Sequence, residues 1–178
     1  MDLKEGTIVL REWREADAEA LAQQANDRSV WLGLRDLFPH PYGIEDARRF
    51  IAMAVAIQPP RNFAIEVGGH LAGGIGYMPR TDVERIGAEV GYWLGSEFRG
   101  KGVATAALRL LSAHAFRSHP ELRRLYAVPY ATNRASARVL EKAGYRLEGT
   151  LRQSAVKDGR ILDQWMYSLL RDEAPEIP

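Results

Sequence analysis

The sequence predicts one α/β domain over residues 1–178: a mixed, mostly antiparallel sheet with helices on its faces. Three observations carry this. Stretches of two-residue alternation and stretches of helical spacing take turns along the chain, and no Pro-, Gly- or Ser-rich linker divides them. The middle of the chain holds strand patterns joined by tight turns, which favours antiparallel neighbours. A length of 178 residues with 46% hydrophobic content supports one core of ordinary size.

The elements follow in order. "TIVLREW" reads as a first strand. "READAEALAQQAND" is a helix with Ala16, Ala20 and Leu21 near one face. "RSVWLGLRDLFPHPYG" is aromatic and broken by Pro39, Pro41 and Gly43, hence a short helix or loop. "IEDARRFIAMAVAIQ" is a helix that the prolines at 59 and 60 stop. "NFAIEV", a "GGH" turn and "LAGGIGYM" form a hairpin, and "ERIGAEVGYWL" adds a third strand. A long helix runs from about Gly102 to Phe116, and "LRRLYAVPY" is the next strand. Asn133 caps a short helix, "RASARVLEKA", closed by Gly144. "YRLEGTLRQSAVK" and "RILDQWMYSLL" make a last hairpin around Asp158-Gly159.

Composition narrows the function. Twenty-four basic residues against 23 acidic ones leave a net charge of +1, so nothing points to nucleic acid or an anionic membrane surface, and any anion site must be local. With no cysteine there is no disulfide, thiolate metal site or cysteine nucleophile. His40, His70, His114 and His119 lack ligand spacing, so no metal is expected. No run reaches the roughly 18 apolar residues of a membrane span, and "MDLKEGTIVLREW" lacks the apolar centre of a secretory signal; the expected location is the cytoplasm.

One stretch asks for a ligand. In "GYWLGSEFRGKGVATAALRLL" an apolar strand ends, Gly100 and Gly102 flank Lys101 beside Arg99, and a long helix begins. A helix start carries unpaired N–H groups and about half a positive charge, and glycines let an anion approach them. Phosphate is the usual guest, although the same glycines could serve only the turn. The nucleoside-triphosphate loop is one residue away, but Gly102 stands where it needs the magnesium-binding hydroxyl. The dinucleotide fingerprint lacks its third glycine, with Thr105 in that place.

"RGKGVA" resembles the Gln/Arg-x-x-Gly-x-Gly/Ala motif of the GNAT superfamily of N-acetyltransferases, with Arg99, Gly102 and Ala104 on the motif positions. "AEVGYWL" is similar to the family's fourth strand, and "NRASARVLEKAGYRLEG" to its second signature. The resemblance covers residues 84 to 170 well; "FPHPYGIEDARRFI" and the ending "LEGTLRQSAVKDGRILDQWMYSLL" look like the ribosomal-protein N-terminal acetyltransferases, the RimJ/RimL-like branch. It implies a GNAT-like sheet splayed in the middle and acetyl-CoA as co-substrate. The pyrophosphate would lie on the amides of Arg99, Gly100, Lys101, Gly102, Val103 and Ala104. Trp93 and Leu94 would offer backbone groups to the pantetheine arm, Asn133 a further hydrogen bond beside its capping role, and Lys142 an approach to the 3′-phosphate. A homodimer is common in such families.

The chemistry needs a neutral amine and a leaving thiolate. An α-amine, with a pKa of about 7.7–8, loses its proton far more readily than a lysine amine near 10.4. Glu89 is the candidate base, alternating with Gly91 and Trp93 on one strand face; the alternative is an outward Glu paired with Arg85. Asp163 either holds the incoming ammonium or is a strand-edge charge. Many family members carry a tyrosine seven residues after the Asn; Leu140 stands there, and Ser136 is the hydroxyl in reach, unless it is merely a small packing residue. Trp31 and Tyr42, with Phe38, are either a core plug or one wall of the acceptor site. The expected function is acetyl transfer to a primary amine, with a protein or peptide N-terminus as the leading acceptor and a small amine as another. The rival is a non-catalytic acyl-CoA-binding module.

Overall fold

The computed structural model describes residues 2–174 of the 178-residue chain. Its strands are β1 (Leu3–Glu5), β2 (Ile8–Glu12), β3 (Asn62–Val67), β4 (His70–Pro79), β5 (Gly87–Leu94), β6 (Arg124–Ala127), β7 (Arg146–Lys157) and β8 (Arg160–Leu170). Its helices are α1 (Ala18–Ala25), α2 (Arg28–Trp31), α3 (Ile44–Ala56), α4 (Val103–Ser118) and α5 (Arg134–Lys142). All eight strands join one sheet in the order β1-β2-β3-β4-β5-β6-β8-β7. Every neighbouring pair is antiparallel except β5 and β6, which are parallel. The mixed, mostly antiparallel α/β sheet that the alternation predicts is therefore the fold.

The parallel pair is short, and this shapes the molecule. β5 and β6 are in register only from Gly87–Arg124 to Glu89–Tyr126. Beyond that point β5 runs on to Leu94 while Pro129, which has no N–H to donate, follows close after the end of β6. The sheet forks there. Strand β4 keeps its pairing with β5 along the whole length, from Gly73–Leu94 to Pro79–Ala88, so the fork opens on one side only.

Side-chain alternation on β5 separates two cores. Ala88 and Val90 are buried with Ala107, Leu108 and Leu111 of α4 and with Leu140 of α5. Trp93 packs on the opposite face against the cluster of Trp13, Leu21, Tyr42, Ala47 and Ile51 from the α1–α3 layer. Full burial of a large aliphatic side chain is worth about 1.5–3 kcal/mol, so the run of small and aliphatic residues along α4 holds its axis firmly on the sheet. The position of the α4 N-terminus is thus set by packing some distance away from it.

Two differences from the sequence reading concern edges. "LKE" forms an additional outer strand, β1, paired with β2 around Gly6 at φ +59. The β7–β8 hairpin is irregular: its register shifts between Leu151 and Ala155, and Gln153 there has φ +49.

Candidate active site

The fork opens into a cleft of about 440 Å³ bounded by β5, the segment after β6, α2 with the loop behind it, and the facing ends of α4 and α5. Its two ends differ in construction.

At one end the backbone of residues 99 to 105 turns into α4. Gly100 and Gly102 sit at φ +74 and +79, and a side chain added at either would meet nothing within 4 Å. A left-handed conformation costs an ordinary residue about 1–2 kcal/mol, which is why both are glycine. No side chain caps the helix, and the first α4 bond is from the Ala106 N–H to the Gly102 carbonyl, 3.1 Å. The Arg99 N–H, expected in the cradle, is instead bonded to the Ser96 carbonyl at 3.4 Å; among the described residues the amides from Gly100 to Thr105 are the ones left without such a partner, with the helix dipole behind them. Lys101 is exposed beside them. Arg99 is spent differently from expectation: its guanidinium donates to the Leu94 carbonyl (3.1 Å) and to Ser29 Oγ (2.9 Å), tying the end of β5 to α2. Asp27 completes that corner: its carboxylate accepts from the Ser29 N–H and is held below the usual range chiefly by its bonds to Ser29.

Along the cleft, Asn133 caps α5 through Oδ1, which accepts from the Ser136 N–H at 3.1 Å; its amide nitrogen lies against Gly33. Lys142 and Arg138 line the same side, and the Lys142 carbonyl accepts from Arg109. Trp93 and Leu94 form the β5 wall.

At the other end, where β5 and β6 part, sits Glu89. Its side chain is 17% exposed, and its partner is Arg35 from the loop after α2, whose Nη2 donates to Glu89 Oε1. The alternative partner, Arg85, instead donates to the Asp82 carbonyl. Arg35 lies 54 residues from Glu89, which is why spacing could not supply it. Tyr126, opposite Glu89 in the β5–β6 register, has its phenol pushed up by burial and then by the nearby Glu89 charge.

Between the two ends Ser136 faces Tyr92. Their hydroxyl oxygens are 2.8 Å apart, and Tyr92 can also donate to the Ser136 carbonyl at 3.3 Å. Burial pushes the Tyr92 phenol up to about 12, partly offset by the Ser136 bond, so it is a protonated donor at neutral pH. The sequence reading missed Tyr92 because alternation puts it with Ala88 and Val90 on the face opposite Glu89, the face that packs on the core. It does lie there, but at the fork that face is also the cleft. Leu140, in the place of the family tyrosine, is fully buried in the core.

Three expected acceptor residues are placed elsewhere. Tyr42 is buried and stacks against Phe38 at 4.7 Å, which favours the core-plug reading. Trp31 stacks on His40 and lies under the Lys157 ammonium, 3.7 Å from ring centroid to Nζ. Asp163 accepts from the Gln153 N–H at 2.7 Å and so stabilises the irregular turn of β7. None of the three is among the cleft-lining residues. The Phe38 partner of Tyr42 was foreseen in the aromatic cluster; the local patterns carried no signal of Lys157 and Gln153.

A forked sheet, a helix start without a side-chain cap and a carboxylate at the fork thus share one cleft. Comparison with known proteins makes the class specific. The acetyltransferase (GNAT) domain model matches residues 7–146, so the chain belongs to the GNAT family and is an N-acetyltransferase by that membership. YdaF of Bacillus subtilis (strain 168), provisionally named a ribosomal N-acetyltransferase, is 34% identical over 173 residues, covering 94% of this chain and 92% of the relative. Spermidine N(1)-acetyltransferase of Escherichia coli (strain K12) is 27% identical over 146 residues, 82% of this chain and 76% of the relative. Among solved structures, Mycobacterium smegmatis RimJ in complex with CoA-disulfide superposes with a TM-score of 0.83 at 26% identity, covering 95% of this chain and 84% of that one. These similarities support the RimJ/RimL-like branch.

Proposed function

We propose that this chain transfers the acetyl group of acetyl-CoA to the α-amine of a peptide or protein N-terminus by direct attack of the amine on the thioester. The observation that carries the reading is the pairing, in one cleft, of uncapped amides at the start of α4 with a single carboxylate at the fork. The bound co-substrate supplies an acyl group activated as a thioester. The amides of Gly100 to Ala104 fit its diphosphate: the N-cap Gly102 brings no side chain to them, and a Cβ at Gly100 or Gly102 would meet nothing within 4 Å. Arg138 and Lys142 lie at the same end for a further phosphate. The exposed edge of β5 next to Trp93 and Leu94 suits an extended arm with amide groups.

Glu89 accepts the proton of the incoming amine. Only the neutral amine is a nucleophile, and an α-amine needs about 2–3 pKa units less help than a lysine amine. Ser136 donates a hydrogen bond toward the departing sulfur. Tyr92, kept protonated by burial, donates to Ser136 Oγ and leaves the seryl proton free to turn to the cleft. Support for a peptide acceptor comes from YdaF, which bears the ribosomal name and matches this chain over 92% of its own length.

The test is release of thiol from acetyl-CoA against a panel of peptides and small amines. Turnover with peptides is expected. Saturable CoA binding with no thiol release for any amine would favour a non-catalytic binding module, and turnover confined to polyamines would reassign the acceptor.

A further inference from the structure

The Arg35–Glu89 pair is built from two half-used groups. Glu89 engages Arg35 through Oε1, and Arg35 engages Glu89 through Nη2. Among the described residues, neither Glu89 Oε2 nor the Nε and Nη1 of Arg35 has a hydrogen-bond partner, so each group keeps a free side. Arg35 is 62% exposed and stands at the mouth, while the deeper Glu89 faces the fork.

The neighbouring charges are already committed. Asp36, next in sequence, binds Lys157 Nζ at 2.7 Å. Arg80, another cation within reach of the Glu89 charge, is bound to Glu84 at 3.2 Å. Arg99 is tied to Leu94 and Ser29, and Arg138 and Lys142 lie toward α4. Glu89 is the sole carboxylate among the cleft-lining residues, so a ligand ammonium has one anion to meet. Once it does so, the guanidinium beside it shares that anion and attracts a second negative charge. The loop that carries Arg35 is fastened on both sides of it, by Tyr130 Oη donating to the Leu34 carbonyl at 3.2 Å and by the Lys157–Asp36 bond. The residues on either side of Arg35 are therefore anchored, which keeps its guanidinium within reach of Glu89.

We propose that Arg35 and Glu89 form a two-point recognition site for an acceptor whose amine lies close to a carboxylate: Glu89 takes the ammonium and receives its proton, and Arg35 takes the carboxylate. This rests on the acetyl-transfer reading of the same cleft. It selects an N-terminus followed by an acidic residue, or a free amino acid, and it disfavours polyamines and basic N-termini, whose second cation meets the guanidinium at close range. Arg35 is a specificity residue here.

The experiment compares Ser-Asp-Ala-amide, Ser-Asn-Ala-amide and Ser-Lys-Ala-amide, with free serine and serinamide as a second arm. It measures kcat/KM by thiol release and, separately, binding by calorimetry to the CoA-saturated protein. The expected order is Asp over Asn over Lys, with about tenfold or more between the ends. Arg35→Glu should invert the order, and Arg35→Lys should keep it with a smaller spread. Preference for Ser-Asp-Ala-amide with indifference between serine and serinamide assigns the carboxylate to a second residue; the opposite result assigns it to a free amino acid. An unchanged order in Arg35→Glu, equal use of the Lys peptide by the unmodified protein, or no binding of any of these amines overturns the proposal. Ordered binding without thiol release from any of them would uphold the recognition site and sink the acetyl-transfer reading instead.

Discussion

The two ends of the cleft are made from different materials. The helix-start end is backbone: amides in a row, two glycines at positive φ, and a dipole, all within residues 99 to 105. The fork end is side chains brought together over long separations, with Arg35 54 residues from Glu89 and Asp36 121 residues from Lys157. A backbone cradle depends on local conformation and tolerates drift in side chains. A side-chain site has no local signature and can change its ligand by one substitution. On the proposed reading, the general grip lies in a contiguous motif and the selectivity in dispersed residues.

Damage to the cradle should produce the largest effect and leave the fork untouched. Gly102→Asp adds a left-handed non-glycine residue and places a carboxylate where a diphosphate is expected. We expect CoA affinity to fall by over a hundred-fold, about 3 kcal/mol, in calorimetric titration. Unchanged affinity would mean that the open amides are not the anion site. The fork should respond the other way. Glu89→Gln removes the proton acceptor but keeps the shape, so kcat should drop about a hundred-fold near neutral pH while CoA affinity stays the same. If turnover in this variant matches the unmodified enzyme across the pH range, Glu89 is not the base.

The same contrast explains how much could be read from the sequence. The glycine turn into α4 was legible because Gly100 and Gly102 flank Lys101 and precede a long amphipathic run. Asn133 as a cap was legible because capping spans only three residues, to Ser136. The sheet class followed from alternation, and the Asp158-Gly159 turn fixed the last hairpin. Arg35 was hidden because it sits in a loop without periodicity. Tyr92 was hidden because alternation reports which face a side chain takes and not where the sheet parts beneath it. Asp163 and Trp31 were drawn toward partners, Gln153 and Lys157, that no pattern predicts.

A smaller effect tests the middle of the cleft. Ser136→Ala should lower kcat about tenfold, the order expected for one neutral hydrogen bond in a sheltered site. Tyr92→Phe should lower it by a similar amount, and the double variant should lose little more, because Tyr92 acts through Ser136. The phenol, raised to about 12, keeps its proton throughout the neutral range, so the Tyr92→Phe defect should be flat from about pH 6 to 9. A defect that titrates within that range, or one that adds fully to Ser136→Ala, would separate the two residues.

The smallest effect concerns the clasp that closes the fork end. Lys157 near the hairpin tip is 2% exposed, lies over the Trp31 ring and binds Asp36, while Arg28 binds Asp158 at 2.7 Å beside it. Asp36 is 70% exposed, so solvent weakens its share of the pair. Replacing it by Asn leaves a buried ammonium with only an amide oxygen and the aromatic face, which should cost about 1 kcal/mol in urea unfolding. Lys157→Met removes the buried charge and keeps most of the packing, so it should cost less than Asp36→Asn despite deleting the larger polar group. Both should raise the acceptor KM a few-fold, because the clasp holds the loop that carries Arg35. Neither should move CoA affinity, because the bonds of the clasp run between α2, the loop after it and the hairpin tip, and none of them is made to a residue from 99 to 105. A parallel loss of CoA affinity would mean that the two ends of the cleft are mechanically one.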